Sequence, residues 1–209
     1  MVGAPGRAFS LPSTGLWYTI DYMNRLARSV ILLGLALRLQ AQALPERLEA
    51  GRPVDREVRK GAVHTYELRA GVGQYLHVIV TPRQADLKVT LNAPNGKPMA
   101  LVDVAWSDGT EEIAWILPVA GSYRISVLTM DADPRGAYEL ALEHLREPTA
   151  EDRPRAAAFE AFTAGEDLAG KANAESRHRA TGKYEESLAI WRTIGDRFWE
   201  GRVLHMIGL

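Results

Sequence analysis

The sequence predicts a mainly β fold, a jelly-roll-like sandwich, followed by α-helical hairpins. Between residues 54 and 143, apolar side chains recur at every second position in several short segments, such as residues 87–92, so that each strand has one buried face. Turn-forming residues separate these segments at short intervals, as at residues 94–96. After Arg146 the apolar spacing becomes helical. These three observations favour an antiparallel sandwich with a helical C-terminal part over alternating βαβ units.

Composition and charge narrow the functional classes. The chain has 209 residues and is 46% hydrophobic, which is sufficient for a core. Its 25 basic and 26 acidic residues give a formal net charge of −1, which argues against nucleic acid as the main partner. The absence of cysteine excludes disulfides, thiolate metal sites and cysteine nucleophiles within this chain. No cofactor is indicated.

Residues 1–43 are predicted to be an upstream tail and a targeting segment. A basic region at residues 23–28 precedes an apolar stretch at residues 29–37, and small residues at a signal-peptidase spacing predict cleavage after Ala43. The position of the basic region favours a translation start at Met23, and the alternative is that residues 1–22 are an ordinary disordered tail. The apolar stretch is shorter than the roughly 20 residues of a transmembrane helix. We therefore expect export to the periplasm or the exterior, with an uncleaved membrane anchor through residues 29–43 as the alternative.

The sandwich is predicted to occupy residues 44–147. Residues 63–81 contain two strands whose pairing places Leu68 opposite Leu76 on the buried face. This register leaves His77 facing Glu67 on the outer surface, where such a pair is more often a surface contact than a ligand set. The five histidines show no i, i+4 spacing, so no zinc site is predicted.

Two strand motifs connect this region to a known family. Residues 85–91 form an Asp-Leu-x-hydrophobic strand leading into the Pro-Asn-Gly turn at 94–96, and residues 121–127 open another strand with Gly-Ser-Tyr. At these motifs the chain resembles the bacterial pre-peptidase C-terminal domain over residues 54–143. The resemblance implies a small β-sandwich of the kind that accompanies secreted enzymes and surface proteins, and some members bind calcium or carbohydrate. Residues 131–133 come nearest to a calcium loop, but we expect them to form a polar hairpin loop.

Two tryptophans are candidates for carbohydrate contact. Trp115 lies in an apolar segment without clean alternation, which predicts a core position. Trp106 lies in a segment that is typical of a loop tip, where an exposed indole can stack on a sugar ring or a partner side chain. The alternative for Trp106 is that it folds back and caps one end of the sandwich.

A joining helix is predicted at residues 148–168. It starts near Asp152, whose carboxylate suits the positive end of a helix, and Pro154 is tolerated in the first turn. Residues 158–162 give it an apolar stripe, which we expect to be a docking face that ends at Gly165.

Residues 169–209 are predicted to contain a truncated helical repeat. Helices are expected at residues 171–179 and 184–192 with a break at 181–183, followed by a turn at 195–197 and a further helix.

The stretch 182–191 resembles the second half of a tetratricopeptide repeat, with Ser187 at a small-residue position and Trp191 at an aromatic one. The resemblance implies binding of a protein or peptide partner, for which Tyr184, Trp191 and Trp199 are the candidate residues. The alternative is an ordinary pair of amphipathic helices.

The order of these parts resembles the N-terminal region of bacterial tetratricopeptide proteins that continue into a CHAT peptidase domain. The sequence therefore predicts an exported, non-enzymatic scaffold or adaptor that mediates protein–protein interaction, and any peptidase activity would belong to a missing C-terminal domain. The alternative is a carbohydrate- or envelope-binding module that uses Trp106. A hydrolase is a third reading, but Ser107 and Asp108 lack a neighbouring histidine and a nucleophile-elbow motif.

Overall fold

The computed structural model describes residues 45–103, 109–171 and 173–208. Residues 1–43, for which a tail and a targeting segment are predicted, and Trp106 lie outside these residues. Within this part of the chain, no helix is long and apolar enough to cross a membrane. The strands are β1 (Glu46–Arg47), β2 (Val54–Glu57), β3 (Val63–Ala70), β4 (Tyr75–Asn92), β5 (Pro98–Val102), β6 (Glu111–Ile116) and β7 (Gly121–Arg146). The helices are α1 (Asp152–Ala169), α2 (Ala174–Ile194) and α3 (Arg197–Gly208).

The predicted mainly β architecture with C-terminal helices is confirmed, and the strands form one curled sheet. The two long strands, β4 and β7, run antiparallel along most of their length and belong to both halves of the sheet. In one half they are flanked by β3 and β5, and in the other by β2 and β6. The halves face each other, since the hydroxyl oxygens of Tyr66 on β3 and Tyr138 on the second half of β7 lie 2.6 Å apart.

A bulge lets the two long strands pass from one half to the other. Residues 133–136 of β7 lie opposite the single residue Gln84 of β4, whose φ is +55°. The extra residues on β7 bend the strand pair. Gly136 is required there because a Cβ on it would lie 2.7 Å from the Cβ of Ala132. The hairpin loop predicted at residues 131–133 is therefore wrong, since β7 continues through them.

The predicted pairing of β3 with β4 is also wrong. β3 pairs with β7, placing Leu68 opposite Tyr123, whereas Leu76 of β4 lies opposite Trp115 and Leu145. The short link between β3 and β4 crosses from one half of the sheet to the other, so the consecutive strands are not neighbours. Their alternating faces are nevertheless buried as predicted, and Trp115 is in the core.

The helices pack onto the sandwich and share its hydrophobic core. α1 begins at Asp152 as predicted, and its carboxylate accepts a 2.7 Å hydrogen bond from the backbone N–H of Thr149. The turn predicted at residues 195–197 is present, with Gly195 in the left-handed conformation at the end of α2.

The predicted helix break at residues 181–183 is wrong, because α2 is continuous from Ala174 to Ile194. Gly182 occupies an exposed position in its interior, where glycine costs only about 1 kcal/mol relative to alanine. Burial of Ala180 and Tyr184 on either side keeps the segment helical. The separate hairpin expected within residues 171–192 is thus absent, and the structure gives no support to the tetratricopeptide resemblance.

Gly165 has a role opposite to the one predicted. It does not end the apolar face of α1 but lies buried within it, directly beneath the ring of Tyr184 on α2. A Cβ on Gly165 would lie 2.5 Å from Cε1 of that ring, so glycine allows α1 and α2 to approach each other.

We expect Gly165→Ala to lower the free energy of unfolding by about 1–3 kcal/mol, because the added methyl group forces Tyr184 or the helix to move. Gly182→Ala is the matched control, since a Cβ there meets no atom within 4 Å and alanine favours the helix by up to about 1 kcal/mol. Urea denaturation of both variants measures the two effects. Equal stability of the Gly165→Ala variant and the unaltered protein would contradict the close approach.

Candidate functional site

A buried carboxylate, Glu112, lies where the sandwich meets the helices. Its side chain, on β6, is 15% exposed, and both of its oxygens accept hydrogen bonds. Oε1 accepts from Nε2 of His77 and from Nη1 of Arg155, each at 2.8 Å, and Oε2 accepts from Nε1 of Trp199 at 2.9 Å. The donors come from β4, α1 and α3, so this one carboxylate connects the sheet to two helices.

Arg155 extends the connection to the turn between α2 and α3. Its second terminal nitrogen donates to Oδ2 of Asp196 at 2.9 Å, and its guanidinium lies 5.4 Å from the ring centroid of Trp191. Asp196 also accepts a 3.1 Å hydrogen bond from the backbone N–H of Trp199 and so caps α3. One guanidinium therefore fixes α1 against β6 and against the start of α3.

The environment of Glu112 keeps it ionised. Burial by itself raises the pKa of this carboxyl, but the hydrogen bonds from His77 and Trp199 and the charge of Arg155 outweigh burial. The net pKa of Glu112 lies below its ordinary value. The carboxylate is thus a permanent acceptor at neutral pH.

A cleft of about 690 Å³ opens beside this network. Aromatic rings form one wall, with centroid distances of 6.0 Å between Tyr75 and His77 and 5.8 Å between His77 and His144. The start of α1 and the end of α2 form the other wall. Its lining residues are Ala150, Glu151, Asp152, Pro154, Arg155 and Ile194.

The pKa values of two titratable groups at the cleft differ strongly from their ordinary values. Burial and the nearby charge of Asp152 raise the pKa of Tyr75 to about 12. Burial acts to raise the pKa of Asp152, but hydrogen bonds from Arg146 and Thr149 outweigh it and lower that pKa to about 2. At neutral pH the buried phenol of Tyr75 is therefore neutral, and the carboxylate of Asp152 is ionised and already paired.

The described residues that line the cleft determine which ligand groups it can contact. No serine, threonine or cysteine is among the described residues that line it, and both oxygens of Glu112 are engaged by donors. Across residues 45–103, 109–171 and 173–208, no group of histidine and acidic side chains has the arrangement of a metal site. The rings, Arg155 and the apolar Ile194 can instead contact a ligand that has both apolar and polar parts.

The structure places the predicted partner-binding residues in the helix core. Tyr184, Trp191 and Trp199 are 3%, 0% and 1% exposed, and the two indole rings stack at a centroid distance of 5.4 Å. Packing is the role that these three side chains have here, and direct partner binding by them stays a prediction. The fourth candidate, Trp106, lies outside the described residues.

Sequence reasoning missed Glu112 and Arg155. Glu112 follows Glu111 at the start of β6 and precedes four apolar residues, and a carboxylate beside an apolar run is a signal for a buried polar contact. Arg155 is a cation near the start of α1, where the helix dipole favours acidic side chains. His77 contacts Glu112 and not the predicted Glu67.

Comparison with known proteins gives distant likenesses only. No family model and no curated protein matches the chain. Among solved structures, the pre-peptidase C-terminal domain of collagenase from Bacillus anthracis is 14% identical, with a TM-score of 0.42, and the match covers 49% of this chain and 97% of that one. A periplasmic inhibitor of g-type lysozyme from Salmonella Typhimurium is 17% identical over 47% of this chain and 98% of its own, with a TM-score of 0.34. The C-terminal CBM6 of a marine laminarinase from Zobellia galactanivorans is 11% identical over 43% and 99%, with a TM-score of 0.27. Likenesses of this size do not establish a family.

We expect Glu112→Ala to lower the free energy of unfolding by about 2–4 kcal/mol, because it removes the acceptor of His77 and Trp199 and leaves the half-buried Arg155 with only its ion pair to Asp196. Glu186→Ala, which removes an exposed ion pair with Lys183, is the control and should cost less than about 1 kcal/mol. Chemical denaturation measures both. Similar small losses in the two variants would show that the Glu112 network does not hold the helices.

Proposed function

We propose that this protein is a non-enzymatic binding protein that receives a protein or peptide partner in the cleft between its sandwich and its helices. The observation that carries the proposal is the cleft itself, which lies beside the polar network of Glu112 and has no serine, threonine or cysteine among its described lining residues. Such a site can position a ligand without transforming it.

The dimensions of the cleft suit a short segment of a partner. A volume of about 690 Å³ lies within the range of roughly 300–1,000 Å³ that is typical of ligand sites. The imidazoles of His77 and His144 offer faces for an aromatic or aliphatic side chain, and Arg155 offers a cation at the edge. We therefore expect the partner to insert an apolar side chain that is flanked by a polar or acidic group.

The proposal includes export and an adaptor role. Export rests on the basic, apolar and small-residue pattern of residues 23–43. The adaptor role rests on the fixed attachment of the helices, which would present any further part of a longer protein at a constant angle to the sandwich. A tetratricopeptide-like role of the helices and an association with a CHAT domain stay part of the proposal.

Selection of peptides from a displayed random library against the purified protein tests the site. Ala150→Trp fills the mouth of the cleft from an exposed position, and Ala120→Trp is a matched exposed control on the turn before β7. Selected peptides should bind the unaltered protein and the control with equal Kd by calorimetry, and Ala150→Trp should weaken them by at least about tenfold (about 1.4 kcal/mol). Equal Kd values for all three proteins would show that the selected peptides bind outside the cleft.

A carbohydrate- or envelope-binding role through Trp106 is the second candidate, because a tryptophan in a Trp-Ser-Asp-Gly segment can stack on a sugar ring. It predicts that a glycan array gives defined signals that Trp106→Ala abolishes while peptide binding at the cleft is kept. Phe198→Ala, which removes an exposed aromatic ring from α3, is the control substitution. An array without signals above background would exclude this role for the glycans displayed.

A further inference from the structure

We propose that a second concave surface, the arginine concavity, binds an acidic peptide segment. Its defining residues are Arg59, Arg83 and Arg135. It goes beyond the function proposed above, since it shares no lining residue with the cleft at Glu112.

The concavity is formed where the long strands bend. β2, β7 and β4 lie side by side there, so Glu57, Ala137 and Arg83 form one cross-strand row. The small side chain of Ala137 between two long ones leaves a depression. The bulge of β7 brings Arg135 to its rim, and the volume enclosed is about 1,100 Å³.

The charge of this surface is unbalanced. Arg59, Arg83 and Arg135 face it against two carboxylates, Asp55 and Glu57, on a protein whose formal net charge is −1. The side chain of Arg56 lies on the other face of β2, because this residue is opposite the buried Tyr138. Two of the arginines are engaged, because Arg83 pairs with Asp55 and Arg56 pairs with Glu46.

The other two arginines are available to a ligand. Arg59 and Arg135 are exposed and form no ion pair with any residue in the part of the chain that the structure describes. Exposed guanidinium groups at the edge of a depression are suited to anionic groups, and each can take a carboxylate through two parallel hydrogen bonds.

The lining favours a peptide over other polyanions. No aromatic ring is among its described residues, so it lacks a stacking platform for sugars or bases. Asp55 and Glu57 repel a nucleic acid backbone, which carries a charge at every nucleotide. Carboxylates on alternate residues of an extended peptide lie roughly 7 Å apart and can reach the arginines while avoiding these acids.

Fluorescence anisotropy with a labelled peptide of alternating glutamate and serine tests the proposal on the full chain. We expect saturable binding that weakens as salt rises from low to physiological concentration. The double variant Arg59→Ser/Arg135→Ser should lose about tenfold or more in affinity. The control Arg69→Ser/Arg124→Ser makes the same charge change at exposed positions on β3 and β7 outside the concavity and should stay within about twofold.

The outcomes separate this site from its competitors. Absence of binding, equal losses in both double variants, or tighter binding of polyuridylate or polygalacturonate than of the peptide would each overturn the proposal. Ala150→Trp should leave binding of the acidic peptide unchanged, so failure of the cleft as a site does not imply failure here. Circular dichroism melts of every variant confirm that folding is intact.

Discussion

Satisfaction of one buried charge, the carboxylate of Glu112, is the constraint on which the arrangement of this protein depends. A carboxylate removed from water is costly unless donors surround it. Here the three donors come from β4, α1 and α3, which are distant in sequence and are brought together at this point. Any displacement of α1 or α3 from the sheet would leave the charge partly unpaired. The hydrogen bonds to Glu112 therefore fix the positions of these helices, which the apolar packing of the shared core restricts less specifically.

The same network explains why the helices are an integral part of the molecule. Arg155 contacts Glu112, Asp196 and the ring of Trp191, and it therefore joins the sheet, the helix turn and the aromatic core through one side chain. Gly165 complements it at the other end of α1, where the absence of a side chain lets Tyr184 approach. Polar attachment at one end and close packing at the other hold the α1–α2 pair at a fixed position beside the cleft.

The two proposed sites both arise from the long strands β4 and β7. The N-terminal residues of β4 and the C-terminal residues of β7 supply His77 and His144 to the cleft, and the bend of the same two strands creates the arginine concavity. One site offers aromatic faces beside a single cation, and the other offers several cations without rings. A protein of nearly zero net charge can thereby present two chemically different surfaces.

The sequence by itself determined the features that depend on neighbours along the chain. Alternation of apolar residues predicted strands with one buried face and the core position of Trp115, and the residues around Asp152 predicted the start of α1, because these signals act over a few positions. Only the tertiary structure decided the partner strand of β3, the continuity of β7 through the bulge and the uninterrupted course of α2 past Gly182. These features depend on packing between distant segments. A residue that favours a turn or breaks a helix is tolerated where its neighbours on both sides are buried, because their burial contributes more free energy than the residue costs. The site is the clearest case, since Trp199 donates to Glu112 across 87 positions of sequence, and no local pattern records that contact.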